Sequence, residues 1–235
     1  MSNKKLIVGI TIPGSVGLLK GQLKYFKEQG YDTYLLTQHD ERSLNYCHRE
    51  ECKELNVNIV RNISLKNDIK TLLALIKIFK KEKPDIVHLQ CINGYFVNIY
   101  RLVKWLKKNN IKTVLTLHAE FMFTANCGYS FDCEGWKTGC GKCPKFKAET
   151  KSLLFDGTAR SFKKMQKAFA GFKKENLIIV SVSPWLMERA KQSPILARKQ
   201  HTVVMNGLDT SVFYPREVGK LKLGLGIDDE KIIFH

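Results

Sequence analysis

The sequence has no apolar run of about 18 residues or more, the length a helix needs to cross a bilayer. The opening Met1-Ser2-Asn3-Lys4-Lys5 leads directly into Leu6-Ile7-Val8-Gly9-Ile10, which is too short for the apolar core of a secretory leader and reads as a first strand. Both absences predict a cytoplasmic protein. The sequence carries neither a G-x-G-x-x-G dinucleotide fingerprint nor the Gly-Lys-Ser/Thr of a phosphate-binding loop, and no internal repeat or low-complexity tract. Acidic residues are scarce: 22 Asp and Glu stand against 39 Lys and Arg, a net charge of +17. That balance suits an anionic partner such as a phosphate, a nucleic acid or an acidic membrane face. It equally suits a solvated lysine-rich surface, because the lysines are spread along the whole chain. What the chain does have is bulk. Its 235 residues are 44% apolar and 26% charged, enough to fold around a core without disulfide staples.

Short apolar runs alternate with helix-period segments. Strands are predicted at 6–12, 34–37, 57–60, 85–89, 113–117, 177–182 and 202–205. Helices are predicted after the 13–17 turn up to Gly30, at 42–55, 69–79, 96–106, 161–174 and 184–191. In the 69–79 segment, apolar residues at 69, 72, 73, 76 and 79 form one stripe. The cations Lys80, Lys81 and Lys83 then suit the negative helix end, and Pro84 stops it. Segment 161–174 sets Phe162, Met165, Phe169 and Phe172 against five lysines, a face for the sheet or for an anionic membrane. This alternation specifies an α/β fold, a Rossmann-like parallel sheet with helices on both faces.

Ligands of such sheets sit beyond the carboxyl ends of the strands, so the residues there are the candidates. Gly14 and Ser15 lie in a loop that is either a plain tight turn or a substrate lining. Gln90 and Asn93 follow the fourth strand, and Asn206 follows the last. His118 ends a central strand with Glu120 two residues on. An imidazole there can hold a hydroxyl or assist proton transfer, or simply bond to a neighbouring loop. His88, inside its strand, reads as a buried structural histidine.

Of the seven cysteines, Cys127, Cys133, Cys140 and Cys143 fall in one loop-like insert at about 121–147. In a reducing compartment thiols favour metal or burial over disulfides. Glycine and proline around Cys140-Gly141-Lys142-Cys143-Pro144 suit a knuckle, and four thiolates suit a closed structural zinc site with no catalytic role. Reduced free thiols and disulfides are the alternatives.

The segment Val203-Val204-Met205-Asn206-Gly207-Leu208-Asp209, followed by Phe213-Tyr214-Pro215, resembles the close of the N-terminal domain in glycosyltransferase family 4. These are the retaining two-domain enzymes, of GT-B fold, in bacterial polysaccharide assembly. Pro13-Gly14-Ser15, Gly21-Gln22-Leu23 and Lys83-Pro84-Asp85-Ile86-Val87-His88 are similar to the same family. Thr116-Leu117-His118 and Trp136-Lys137-Thr138-Gly139-Cys140-Gly141-Lys142-Cys143-Pro144 resemble a cysteine-containing subgroup of capsular, exopolysaccharide and colanic-acid-type gene sets. The chain departs from the family at His118-Ala119-Glu120, where His-Asp is usual, and at Gln90 and Asn93, where further histidines often stand.

The resemblance implies an acceptor-side domain over 1–215, the N-terminal half of a GT-B enzyme. Residues 216–235 would then be a linker and the start of a donor-binding domain that the chain stops short of. It implies a nucleotide-sugar donor held mainly by that second domain, a saccharide or lipid-linked saccharide acceptor, and no catalytic metal. His118 would orient or polarise reacting groups with Glu120 beside it, and this chain alone would be inactive. Other readings are a non-enzymatic remnant, a split-enzyme subunit that pairs with a separate C-terminal chain, and a zinc-containing nucleic-acid binder. The last lacks a recognition helix and any aromatic–basic stacking motif, so no nucleic-acid partner is expected. Peripheral contact with the anionic inner face of the cell membrane is expected.

Overall fold

A parallel strand is covered on both faces and so needs a near-continuous apolar run. The computed structural model, which describes residues 4–58, 65–90, 97–150, 154–208, 210–215 and single positions at 219, 224 and 226, joins seven strands into one sheet. They are β1 (Lys4–Gly9), β2 (Tyr31–Thr37), β3 (Lys53–Asn56), β4 (Ile86–Gln90), β5 (Lys112–Leu117), β6 (Leu177–Ser181) and β7 (Gln200–Val203). Their order is β3-β2-β1-β4-β5-β6-β7, and all the pairings are parallel. The chain builds outward from β1 to β3, returns to β4 on the other side of β1, and builds outward again to β7. That reversal opens a crevice beyond the carboxyl ends of β1 and β4, the usual ligand position in such sheets.

The helices are α1 (Gln22–Glu28), α2 (Glu41–Glu50), α3 (Leu65–Glu82), α4 (Ile99–Lys108), α5 (Phe121–Thr124), α6 (Phe146–Thr150), α7 (Thr158–Phe169) and α8 (Pro184–Gln192). Leu6, Val8, Ile10 and Leu35 pack with Leu23 of α1 and Tyr46 of α2 on one face. Ile7, Val87, Leu115 and Ile179 pack with Leu75 of α3, Leu102 of α4 and Met165 of α7 on the other. The Phe162, Met165 and Phe169 face of α7 is buried, and Lys163, Lys164 and Lys167 are exposed. No helix among the described residues is long and apolar enough to cross a membrane.

Four expectations shift. The strand expected over 6–12 ends at Gly9, and Pro13–Leu19 winds as a 3-10 helix with proline in its first turn where a turn was expected. The polar helix expected over 42–55 ends at Glu50, where Glu51 turns left-handed with φ 54° and Cys52 N donates to the Cys47 carbonyl at 3.0 Å. The third strand is therefore Lys53–Asn56 and not 57–60. It lies at the edge of the sheet, where polar residues are tolerated; 59 and 60 are outside the described residues. The compact unit runs Met1–Met205, and Asn206–His235 forms a second. In that second unit Leu208, Val212, Phe213 and Tyr214 are exposed.

Helix α1 begins at Gly21, whose φ of 76° is left-handed and which has no side chain to cap the orphan amides. Glu50 of α2 supplies the cap. Its carboxylate, in a residue 2% exposed, accepts from Gly21 N at 2.9 Å and Lys24 N at 3.2 Å. We expect Glu50→Ala to lower the unfolding free energy by about 1–3 kcal/mol, the range for a lost cap on a charged acceptor. Glu50→Gln, which keeps one acceptor oxygen, should lose less. Urea denaturation measures both, and an unchanged midpoint for Glu50→Ala would rule out the cap.

Candidate functional site

Side chains alternate across a strand, so His88 and Gln90 of β4 share a face, as do Thr116 and His118 at the end of β5. Strands β4 and β5 are neighbours, and Gln90 pairs with Thr116 in register. The result is a two-rung polar ladder. His88 Nε2 lies 2.8 Å from Thr116 Oγ1, and His118 Nε2 lies 3.1 Å from Gln90 Oε1. Gln90 Nε2 donates onward to Gln22 Oε1 at 3.5 Å, reaching the first turn of α1 across the β1–β4 crevice. The expected site residues His118 and Gln90 are thus brought together. Gln22 and Thr116 join them without having been singled out for chemistry.

With its Nε2 donating to Gln22, Gln90 turns its carbonyl oxygen to His118. The His118 Nε2 must then carry the hydrogen, which leaves a lone pair on Nδ1. Burial lowers the His118 pKa from the ordinary value of 6.5, so the ring is neutral at neutral pH. A neutral imidazole with an open acceptor nitrogen can take a hydrogen bond, or a proton, from a hydroxyl. His88 is buried more deeply. Its pKa is pushed down to about 4 by burial, with repulsion from His118 adding to the effect.

Gly14 and Ser15 lie in the 3-10 turn after β1, on the same edge of the sheet. A Cβ on Gly14 would stand 3.4 Å from Arg42 Nη1, so the bare backbone lets the exposed Arg42 guanidinium lie over the loop. Asn93 lies outside the described residues, and Asn206 is exposed in the second unit.

Glu120 was expected beside His118 as a reacting group. Its carboxylate is instead occupied, in a residue 1% exposed. One oxygen accepts from Arg189 Nε of α8, and the other from Ser130 N at 2.6 Å. Arg189 Nη2 also donates to Ser130 Oγ at 2.7 Å. The guanidinium lies between two indoles, 4.8 Å from Trp136 and 5.0 Å from Trp185. Nothing in the sequence near 120 signals a partner on α8.

The four-thiolate zinc knuckle expected from Cys127, Cys133, Cys140 and Cys143 is not formed. Among the described residues no three His, Cys, Asp or Glu side chains are arranged to hold a metal ion, and none of the four thiols is in a disulfide. Cys140 turns inward, with Sγ 3.6 Å from the Thr124 carbonyl, and burial raises its pKa. Cys127, Cys133 and Cys143 line a separate shallow hollow with Tyr129 and Lys145. The insert is held by Trp136, which packs edge-on to Phe123 at 5.2 Å, and by Asp156, which accepts from Cys143 N at 2.7 Å.

Two measurements test the ladder. Nitrogen-15 NMR of the His118 ring should show the single neutral Nε2–H tautomer near neutral pH, and Gln90→Leu should turn it into a mixture; a mixture in the unmodified protein would break the assignment. His88 sets a pH dependence. Its folded pKa lies below its unfolded 6.5, so the native state excludes a proton that the unfolded chain accepts. Its contribution is complete above pH 6.5 and is lost as the pH falls to about 4, a change of about 3 kcal/mol. Urea midpoints across that window should fall less steeply in His88→Gln, which keeps a hydrogen-bonding group but does not titrate.

Residues 13–128, which contain the 13–17 loop and the whole ladder, match the family model described as glycosyl transferase 4-like. The chain is 35% identical over 66 residues to the putative colanic acid biosynthesis glycosyl transferase WcaC of Escherichia coli (strain K12), covering 26% of this chain and 16% of that protein. It is 31% identical over 88 residues to the capsular polysaccharide biosynthesis glycosyltransferase CapM of Staphylococcus aureus, covering 37% of this chain and 22% of that one. Among solved structures it superimposes on a glycosyltransferase from Rickettsia africae with a TM-score of 0.54 and 15% identity, a likeness of fold over 97% of this chain and 51% of that one. The chain therefore spans about half the length of that structure, and its matched segments span less than a quarter of either curated relative. The part of the chain that holds the loop and the ladder, residues 13–128, is thus similar to the glycosyl transferase 4-like family.

Proposed function

We propose that the Met1–Met205 unit is the acceptor-side domain of a retaining glycosyltransferase. It would serve transfer of a sugar from a nucleotide-sugar to a saccharide acceptor, one carried on a lipid, in the making of a bacterial surface polysaccharide. The observation that carries this reading is the neutral His118, fixed by Gln90 and Gln22 beyond the ends of β4 and β5, with no partner on Nδ1 among the described residues. A carbohydrate offers hydroxyls, and a neutral acceptor nitrogen suits a hydroxyl better than a charged one would. Gly14, Ser15 and Gln90 line the same edge, and Asn206 follows β7 in the chain. Glu120 serves by positioning, because both its oxygens are engaged. The donor is held mainly by residues outside this unit, so the unit alone turns over little substrate. The net charge of +17 supports contact with an anionic membrane face, where a lipid-linked acceptor would reside.

Octyl β-glucoside, kept below its micelle concentration, mimics a sugar on an alkyl chain. It should shift the His118 and Gln90 resonances of the 235-residue protein, whereas UDP-glucose at equal concentration should leave them in place. His118→Ala should weaken the glucoside by about two- to tenfold, the value of one neutral hydrogen bond. The opposite pattern, with UDP-glucose shifting His118 and the glucoside silent, would assign this unit to the donor.

A further inference from the structure

Three aromatic side chains stand in water at the carboxyl edge of the sheet, outside the ladder. Tyr129 and Phe131 belong to the insert after β5. Trp185 belongs to the first turn of α8, which follows β6, the strand beside β5. They are 48%, 58% and 51% exposed, and Tyr129 packs against each of the other two. The Tyr129 and Phe131 ring centres are 4.6 Å apart, edge to face, and those of Tyr129 and Trp185 are 6.0 Å apart. Contiguous exposed rings of this kind mark a binding surface. Phe131 also adopts a left-handed φ of 50°, which is costly for an aromatic residue and concentrates at functional sites.

The rings are held in place. Gly128 and Ser130 flank Tyr129, and both bond to Glu120: its N donates to the Gly128 carbonyl at 2.8 Å, and its carboxylate accepts from Ser130 N. Trp185 rests on the Arg189 guanidinium that pairs with the same carboxylate. A surface ordered before binding loses little entropy when a ligand arrives. Charge is distributed unevenly around it. Arg189 is neutralised by Glu120 and Lys137 by Glu134. Lys145, 5.2 Å over the Phe131 ring, forms no ion pair among the described residues. The patch therefore offers flat apolar rings with an uncompensated ammonium at one end.

We propose that Tyr129, Phe131 and Trp185 are a stacking platform for a pyranose ring of an acidic saccharide, with Lys145 meeting its carboxylate. This rests on the acceptor-side reading and narrows it to an acceptor that carries negative charge on a sugar. One face of a pyranose presents only C–H groups. It packs on an aromatic face while the hydroxyls stay in water, and the carboxylate pairs with the ammonium at the rim.

The test uses the 235-residue protein and three probes: a tetrasaccharide of alternating glucuronate and N-acetylglucosamine, neutral cellotetraose, and phosphatidylglycerol vesicles. The indole N–H resonance of Trp185, assigned with Trp185→Phe, is the readout. The acidic tetrasaccharide should shift it, and should bind more tightly than cellotetraose. Tyr129→Ala and Trp185→Ala should each weaken binding by about two- to tenfold, the range for one aromatic contact. Lys145→Gln, a surface change that leaves the fold alone, should weaken the acidic probe and spare cellotetraose. A Trp185 resonance unmoved by either saccharide overturns the proposal. So does a response to vesicles alone, which would make the patch a membrane face. If saccharide shifts His118 but not Trp185, the platform falls while the acceptor-side reading stands. If it shifts Trp185 but not His118, the platform stands and the role given to the ladder falls.

Discussion

A carboxylate taken out of water must be paired, because its desolvation costs several kcal/mol that only strong, well-placed partners offset. Glu120 is such a group, and much of the carboxyl edge is arranged by its needs. Arg189 comes from α8, and Ser130 N and the Gly128 carbonyl come from the insert. Ser193, just past α8, donates to the Phe123 carbonyl at 2.6 Å, so α8 and the insert are joined at both ends. Removing the Arg189 charge alone would leave the carboxylate buried and unpaired, a loss of about 3–5 kcal/mol. One ion pair thus orders the loop that begins two residues after His118.

The ladder meets a different demand. Its rungs lie in the interior of the sheet, where a polar side chain is stabilised by a partner on the next strand. His88 finds Thr116, and His118 finds Gln90. Burial lowers the pKa of both imidazoles, with repulsion from His118 adding to the effect at His88, so both are neutral bases at pH 7. The fold supplies this electrostatic state by burial. It follows from strand register, from the alternation of side chains, and from α1 coming down over Gln90 through Gln22.

The parallel sheet could be read from the chain because apolar runs and amphipathic stripes are local signals. The stripe at 69–79 and the Phe/Met face of α7 are written in consecutive residues. Edge strand β3 could not, because Lys53-Glu54-Leu55-Asn56 has no apolar run and forms only by pairing with β2. That His118 and Gln90 stand near each other could be read from position, since both come at the ends of strands that are plain in the sequence. The role of Glu120 was hidden because its partner Arg189 lies 69 residues away on α8. Nearness to His118 suggested a site residue, where the carboxylate joins Ser130 to Arg189. The cysteines misled for a related reason. Their spacing suits a metal, but Trp136 packed on Phe123 and the Asp156 carboxylate on Cys143 N already give the insert its shape.

The two halves of the carboxyl edge differ in kind. On the β4–β5 side the groups are neutral and hydrogen-bonding, with His118 held through Nε2. On the β5–β6 side they are aromatic and cationic, with Arg189 neutralised and Lys145 not. An open ammonium close to His118 would lower the imidazole's basicity further and weaken its hold on a hydroxyl. Glu120 pairs with the Arg189 cation, and burial is what lowers the His118 pKa. The same carboxylate holds Ser130 of the insert and Arg189 of α8, and so fixes the aromatic side in place.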